Sequence, residues 1–495
     1  MAARTKAVKV EKLGELEGED LLAQMIDTGI KPRGDEAHDR ARELVRNFVA
    51  ELLDPGMVTA KGVTKTINAR IAAIDELLSK QVNAILHHPE FQQLEASWRG
   101  LHKLVHGSET GENLKVRVLN VSKKDLLKDF KAAPEFTESA LWKKVYEYEF
   151  GLYGGDPYGA LVGDFEFGKG PQDVELLTEM SQVAAAAHAP FITASAPDMF
   201  GMDSFTQMPN PRDLAKIFDK SNPENTKWLS FRDSEDSRFV AMVLPHVLRR
   251  LPYSMKDNPV ENFDFDEQAT EHDHYCWGNA AYDYAQRLTA AFAQHHWCVA
   301  IRGPEGGGMV EDLPIHTFKT AEGDVAAKCP TEVMIPDTRE KELSDLGFIG
   351  LLNCKNTDYA AFFGGNSVQR PRKYDTKEAT ANAKLSSQIP YLMATSRIAH
   401  YLKAICRDKI GSFMSRSECE TFLNRWIKNL ELDMDDATQE AKAQRPLREA
   451  RIDVIDDKAR PGCYQAIAYL KPHFQLDELG VSLRLVADLP EPAQK

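Results

Sequence analysis

The stretch Glu271-His272-Asp273-His274-Tyr275-Cys276-Trp277 carries the side chains best suited to a metal. On a strand, His272, His274 and Cys276 would share one face, as zinc ligands do. The residues that follow argue otherwise. Trp277, Ala281, Tyr284, Ala285, Leu288 and Phe292 recur at helical spacing, and positions two apart on a helix diverge. No second ligand pair stands at metal spacing. His295 and His296 are adjacent, ahead of an expected strand over 297–301, where neighbours point to opposite faces. The expectation is that no metal and no cofactor is held. Gly303-Pro304-Glu305-Gly306-Gly307-Gly308 has the composition of a phosphate cradle. It lacks the Lys-Ser/Thr pair of a P-loop, and Glu311 and Asp312 bring acid where phosphate would sit. A flexible loop is the better reading. Asp164 and Ser195 are expected at the carboxyl ends of two strands, where α/β folds place ligands. No nucleophile elbow accompanies them, and no catalytic residue is assigned.

The bulk numbers fit this. A chain of 495 residues exceeds the size of a single core and should divide into domains. It is 43% hydrophobic and 27% charged, the balance of a soluble globular protein. A net charge of −14 argues against a nucleic-acid surface. No apolar run is long enough to span a membrane. The opening MAARTKAVKVEKLG has no apolar signal region, so a cytoplasmic protein is expected. The seven cysteines are scattered and form no C-x-x-C; they read as reduced thiols.

The elements suggest α/β layering with α+β mixing. Residues 1–35 read as a charged arm. A helix from Asp35 presents Ala41, Leu44, Val45, Phe48, Val49 and Leu52 as one stripe and stops at Asp54-Pro55-Gly56. A second helix is expected over 64–87. A third, from Pro89, presents Phe91, Leu94, Trp98 and Leu101 as its packing face. Residues 114–121 read as a strand, and Ser122 caps a short helix over 124–130. Residues 158–167, a helix over 171–188 and residues 190–195 make a strand–helix–strand unit, which should be right-handed and parallel. Arg232, Asp233, Asp236 and Arg238 read as an ion-pair network before a helix over 240–251. Residues 333–336 read as a strand. Ser387 is expected to cap a helix with Pro390 in its first turn. A helix over 419–430 gives way to the acids Glu431, Asp433, Asp435 and Asp436. Asp436 then caps a helix that contains Glu440. Three strands end the chain, over 452–455, 463–470 and 481–489. In the last, Val481, Leu483, Leu485 and Ala487 alternate with other residues, so it either completes its own sheet or adds to another chain's edge.

Several long phrases point one way. HHPEFQQLEASWRGLHKLV (87–105), YGALVGDFEFG (158–168), PFITASAPDMFG (190–201) and IRGPEGGGMVEDLP (301–314) closely resemble the large subunit of the type VI secretion contractile sheath. The likeness runs from about residue 35 to the C-terminal strands.

That resemblance implies a structural protein, not an enzyme, in a multi-layer sheath fold. It implies an obligate heterodimer with a small sheath subunit, stacked with neighbouring protomers into a helical sheath around inner-tube hexamers. It further implies a baseplate and an AAA+ unfoldase that acts on contracted sheath. Residues 1–60 would be an arm and helix docking on the small subunit through Leu44, Val45, Phe48, Val49 and Leu52. Residues 61–380 would form the body, in two subdomains. Residues 381–495 would form a C-terminal core, with Ile467, Tyr469, Val481, Leu483, Leu485 and Ala487 on strands of an intersubunit sheet. Glu431, Asp433, Asp435, Asp436 and Glu440 would face the tube. The competing readings are a metal- or nucleotide-dependent enzyme using His272, His274 or the Gly306–Gly308 loop, and a monomeric binding scaffold.

Overall fold

The computed structural model describes residues 35–52, 63–211, 213–256, 258–260, 263–269, 271–319, 325–355, 357–412, 414–434, 436–456 and 464–475. Two compact units divide the chain, Met1–Gln81 and Val82–Lys495. The first contains helix α1 (Asp35–Leu52) and most of α2 (Val63–Leu86). Along α1, Ala41 is buried, Val45 half-buried and Leu44 exposed. Along α2, Ile71, Ile74 and Leu78 form an exposed apolar stripe.

The second unit opens on α3 (Pro89–His106), with proline in its first turn where a missing N–H costs nothing. The expected strand over 114–121 is absent. That run has no regular secondary structure and pairs with no described strand, and Val118 and Leu119 are exposed. Ion pairs from Lys115 to Asp156 (2.6 Å) and from Arg117 to Glu149 hold it instead. Helix α4 (Lys123–Ala132) starts on a capping box in which Ser122 and Asp125 satisfy each other's backbone N–H.

The body is a six-stranded sheet. Strand β1 (Leu161–Phe167) leads through helix α5 (Pro171–Ala187) to β2 (Phe191–Ser195). After helix α6 (Thr226–Arg232) come β3 (Val240–Leu244) and the short β4 (Val247–Leu248). Strand β5 (Trp277–Gly278) pairs with β4 and precedes helix α7 (Ala281–His295). Then follow β6 (Met309–Val310), β7 (Thr317–Lys319), β8 (Val325–Ala327), helix α8 (Asp337–Asp345), β9 (Phe348–Asn353) and β10 (Ala360–Phe362). The order is β1-β2-β3-β9-β10-β6. The first four strands are parallel; β10 and β6 run antiparallel.

Both faces of the sheet are covered, as parallel strands require. Val240, Met242 and Leu244 join Phe167, Leu177 and Met180 on one side. Ala241 and Val243 join Ile192, Tyr284 and Leu288 on the other. This corrects the helix expected over 240–251. All five residues of β3 are buried, and a continuous apolar run has no period to separate helix from strand. Pro245 follows, where a helix interior would not accept it. The strands expected over 297–301 and 333–336 are absent too; 297–301 is irregular, and α8 begins at Asp337.

The C-terminal part adds a third core. Helix α9 (Lys377–Ser386) precedes α10 (Ile389–Asp408), α11 (Arg416–Ile427) and the short α12 (Gln439–Gln444). Gln388, not Ser387, occupies the N-cap of α10, and Thr438, not Asp436, caps α12. Strands β11 (Leu447–Asp456) and β12 (Tyr464–Pro472) form an antiparallel hairpin. Ile398, Leu423 and Ile427 pack on Leu447, Ile452 and Val454 of β11.

His400, on α10, is buried, and its Nε2–H donates to Ala187 O at 2.8 Å. Burial pushes its pKa down to about 4, against a partial rise from that bond. The unfolded chain therefore binds the extra proton first, and stability is lost as pH falls from 6.5 toward 4. We expect the unfolding free energy to drop by up to about 1.4 kcal/mol per pH unit in that window. Denaturant titrations of the native protein and of His400→Gln at several pH values check this; an unchanged slope in the variant would rule His400 out as its source.

Candidate functional site

The metal-capable trio does not converge. His272 sits in a single 3-10 turn, with Nε2 3.4 Å from Glu332 and Nδ1 3.1 Å from Lys328 Nζ. His274 stacks on His87 with ring centroids 4.2 Å apart. Cys276 is buried, and desolvation pushes its thiol up to about 12. Among the described residues no group of three or more His, Cys, Asp or Glu side chains is placed to share a metal ion.

What the trio adjoins is a chain of charge that runs from the exposed Glu166 to the buried Glu332. His246 bridges Glu166 on β1 (2.8 Å) and Glu332, and Ser204 Oγ donates to Glu332 at 2.9 Å. Burial opposes charge on His246, yet the two carboxylates raise its pKa to about 10. Glu332 is held well below the usual carboxylate range, its own burial outweighed by bonds from His246 and His272. The serine thus serves the acid and no base. This is a strut between β1, the β3–β4 corner and residue 332.

The two ends of the glycine loop are tied to β10 and to each other. Gly303 N–H donates to Phe362 O (2.7 Å), Gly308 N–H to Gly303 O (2.9 Å) and Phe362 N–H to Gly308 O (3.0 Å). Asp164 lies mid-strand rather than at the end of β1, and it bonds Tyr282. Ser195 does end β2, but it is buried and donates to Ala196 O. Arg232 is buried and donates to Val368 O at 2.9 Å, while Asp233 pairs with Arg370. Its charge holds a loop; it does not face outward as part of a surface network.

Helix α3 is the unexpected element, because it is inverted. Its expected packing face points away from the body: Leu94 is 56% and Trp98 66% exposed, with Phe91 and the preceding Ile85 also exposed. The face it buries is a narrow row of Ala96, Gly100 and Leu104. The half-buried Glu95, Arg99 and Lys103, spaced four apart, flank it. Arg250 reaches Glu95 at 2.7 Å and Glu267, and Arg99 also binds Glu95 at 2.8 Å. Lys103 lies 2.9 Å from Asp283, which is fully buried on α7 and also pairs with Arg249 at 2.9 Å. The helix can approach this closely because Gly100 has no Cβ; one would stand 2.4 Å from the ring of Tyr282. A helix seated on Ala96, Gly100 and Leu104 and tied by flanking ion pairs, while it exposes tryptophan, has its apolar stripe available to another molecule.

The hairpin is the second such surface. Tyr464, Ile467 and Tyr469 on β12 are exposed, and no described strand pairs with the far side of β12. Val481, Leu483, Leu485 and Ala487 lie outside the described residues, as does Asp435. Asp433, Asp436 and Glu440 are exposed, while Glu431 turns inward and accepts from Ala450 N–H at 2.9 Å. On α1, the side chains of Phe48, Val49 and Leu52 also lie outside the described residues.

Comparison with known proteins defines the class. Residues 68–369 match the VipB family model described as EvpB/VC_A0108, tail sheath N-terminal domain. Residues 378–489 match its companion, the EvpB/VC_A0108 tail sheath gpW/gp25-like domain. The chain belongs to the VipB tail-sheath family, whose members are structural sheath components. It is similar to the Type VI secretion system sheath protein TssC1 of Pseudomonas aeruginosa (strain PAO1), at 48% identity over 475 residues and 95% of either chain. Among solved structures, the anti-feeding prophage baseplate aligns with TM-score 0.35 and 10% identity, over 64% of this chain and 66% of that one. The contracted PVC sheath complex aligns with TM-score 0.33 and 8% identity, over 63% and 68%. At such scores the likeness carries no argument.

Proposed function

We propose that this chain is the large subunit of a type VI secretion contractile sheath. It pairs with a small sheath subunit, and the heterodimers stack around inner-tube hexamers on a baseplate in the cytoplasm. Contraction drives the tube outward, and an AAA+ unfoldase recycles the contracted form. The observation that carries this reading is the 48% identity, over nearly the whole chain, to a type VI secretion system sheath protein. The physical features agree with it. No helix among the described residues is long and apolar enough to cross a membrane. The most exposed apolar groups on α3 and the hairpin suit contacts between subunits, and the work of a sheath needs only two packings of such contacts.

Two surfaces would receive the small subunit: the α1 stripe of Leu44, Val45, Phe48, Val49 and Leu52, and the outward stripe of α3. The hairpin, through Ile467 and Tyr469, would share a sheet with neighbouring protomers, and residues 481–489 would supply a further strand. Asp433, Asp435, Asp436 and Glu440 would face the tube, with Glu431 at the base of that segment.

Electron microscopy of the chain co-expressed with a small sheath subunit tests the reading. Hollow tubules are expected, and removal of 481–489 should abolish them while the heterodimer persists. Discrete particles only, across salt and pH, would sink it. Stoichiometric metal or nucleotide in the purified protein would instead favour an enzyme at His272 or the glycine loop.

A further inference from the structure

The two edges of the β11–β12 hairpin are not equivalent. On β11 the outward N–H groups already have partners, and these are side chains of α11 and the turn after it. Ala450 N–H donates to Glu431 Oε1 at 2.9 Å, Ile452 N–H to Asn424 Oδ1 at 3.0 Å and Val454 N–H to Glu420 Oε2 at 3.3 Å. Asn424 goes further. Its Nδ2 donates to Ile452 O at 2.6 Å, so one side-chain amide meets both polar groups of Ile452 as a neighbouring strand residue would. Leu432 N–H also takes Leu447 O at 2.8 Å.

These bonds fix the facing of the other strand. In an antiparallel ladder the N–H and C=O of one residue point to the same side and alternate along the strand. Since Ala450, Ile452 and Val454 point away from β12, Arg451, Asp453 and Ile455 bond to their partners Tyr469, Ile467 and Gln465. Ala466, Ala468 and Leu470, which stand opposite Val454, Ile452 and Ala450, therefore turn their backbone groups outward. That side of β12 is unpaired among the described strands.

We propose that Glu420, Asn424 and Glu431 are edge-closing residues that restrict strand addition to the β12 side, through Ala466, Ala468 and Leu470. The occupant is an extended strand from a neighbouring subunit, matched to the nine residues of β12. This rests on the sheath reading, in which hairpins of neighbouring protomers share a sheet. Its chemical logic is general: a long strand with two open edges recruits partners on both sides and aggregates, and proteins that use one edge must blunt the other. Here the blunting groups are polar side chains of α11 and of the turn after it, and Leu423 and Ile427 of α11 are buried in the same core as Ile452 and Val454. The closure is thus held by packing as well as by hydrogen bonds.

Hydrogen exchange with mass readout on the heterodimer, before and after assembly into sheath, tests this. A peptide spanning 464–472 should lose three fast amides on assembly, each slowed on the order of 100-fold. A peptide spanning 449–456 should be slow before assembly and unchanged after it. In the variant Glu420→Ala/Asn424→Ala the amides of Ile452 and Val454 should become fast in the heterodimer, and assemblies should become laterally aggregated. Gain of protection in 449–456 on assembly of the native protein would overturn edge closure while leaving sheet sharing intact. Unchanged exchange in the variant heterodimer would also overturn it. Sheath that forms with no gain in either peptide would overturn sheet sharing itself, and edge closure with it.

Discussion

Asp283→Ala should destabilise the second unit by about 3–5 kcal/mol, the cost of leaving a buried charge without its partner. Asp283 is fully buried, and the Arg249 side chain beside it is 2% exposed. Arg249 donates from Nη2 to Asn279 O, and the same nitrogen lies 2.9 Å from Asp283 Oδ2. Arg249 lies across Gly278, where a Cβ would meet its Nε at 2.5 Å. Burial opposes ionisation of Asp283, yet Arg249 and Lys103 hold its pKa below the ordinary value. Its contribution is therefore present above the unfolded pKa, and it fades as the solution is acidified through the folded one. Denaturant unfolding of the co-expressed complex measures the loss. The double variant Asp283→Ala/Arg249→Met should recover part of it, because both charges are then gone. A loss under about 1 kcal/mol, the scale of a surface pair, would refute this account.

Trp98→Glu should weaken binding of the small sheath subunit by at least about 30-fold, since buried interface tryptophans contribute 2 kcal/mol or more. Stability of the chain itself should change little, because Trp98 touches solvent rather than core. That contrast separates a docking residue from a structural one. Pull-down and titration with the small subunit give the affinity, and thermal unfolding gives the control. Undiminished binding would move the docking surface elsewhere, with the α1 stripe the first alternative. A large fall in unfolding temperature would mean that the tryptophan packs within the chain.

The strand–helix–strand unit from β1 to β2 was legible in the sequence, because polar turns bound it and its helix carries Pro171 at the first turn. The capping boxes at Ser122 and Ser415 show how locally such starts are written. β3 was not legible, since Val240–Leu244 is apolar without alternation and both of its faces are covered only once α5 and α7 are in place. The inversion of α3 was hidden for a different reason. Phe91, Leu94 and Trp98 make the ordinary pattern of an inward stripe. The partners of its charged face, Arg250 and Asp283, lie more than 150 residues away in the chain. The one local hint is Glu95, Arg99 and Lys103 at intervals of four, which an exposed helix shows equally well. Edge closure at β11 was invisible on the same grounds, because it needs α11 to be laid against a strand that follows it.

That closure has a mechanical corollary. In the sheath reading, a strand added beside β12 is joined by bonds that lie across its direction. Tension along such a strand loads the whole ladder in shear, so the bonds must fail together. Tension across it peels them one at a time. With β11 fixed to α11 by Glu420, Asn424 and Glu431, the hairpin is clamped along its length on one side. It can pass a longitudinal pull into the third core, and through that core into α10.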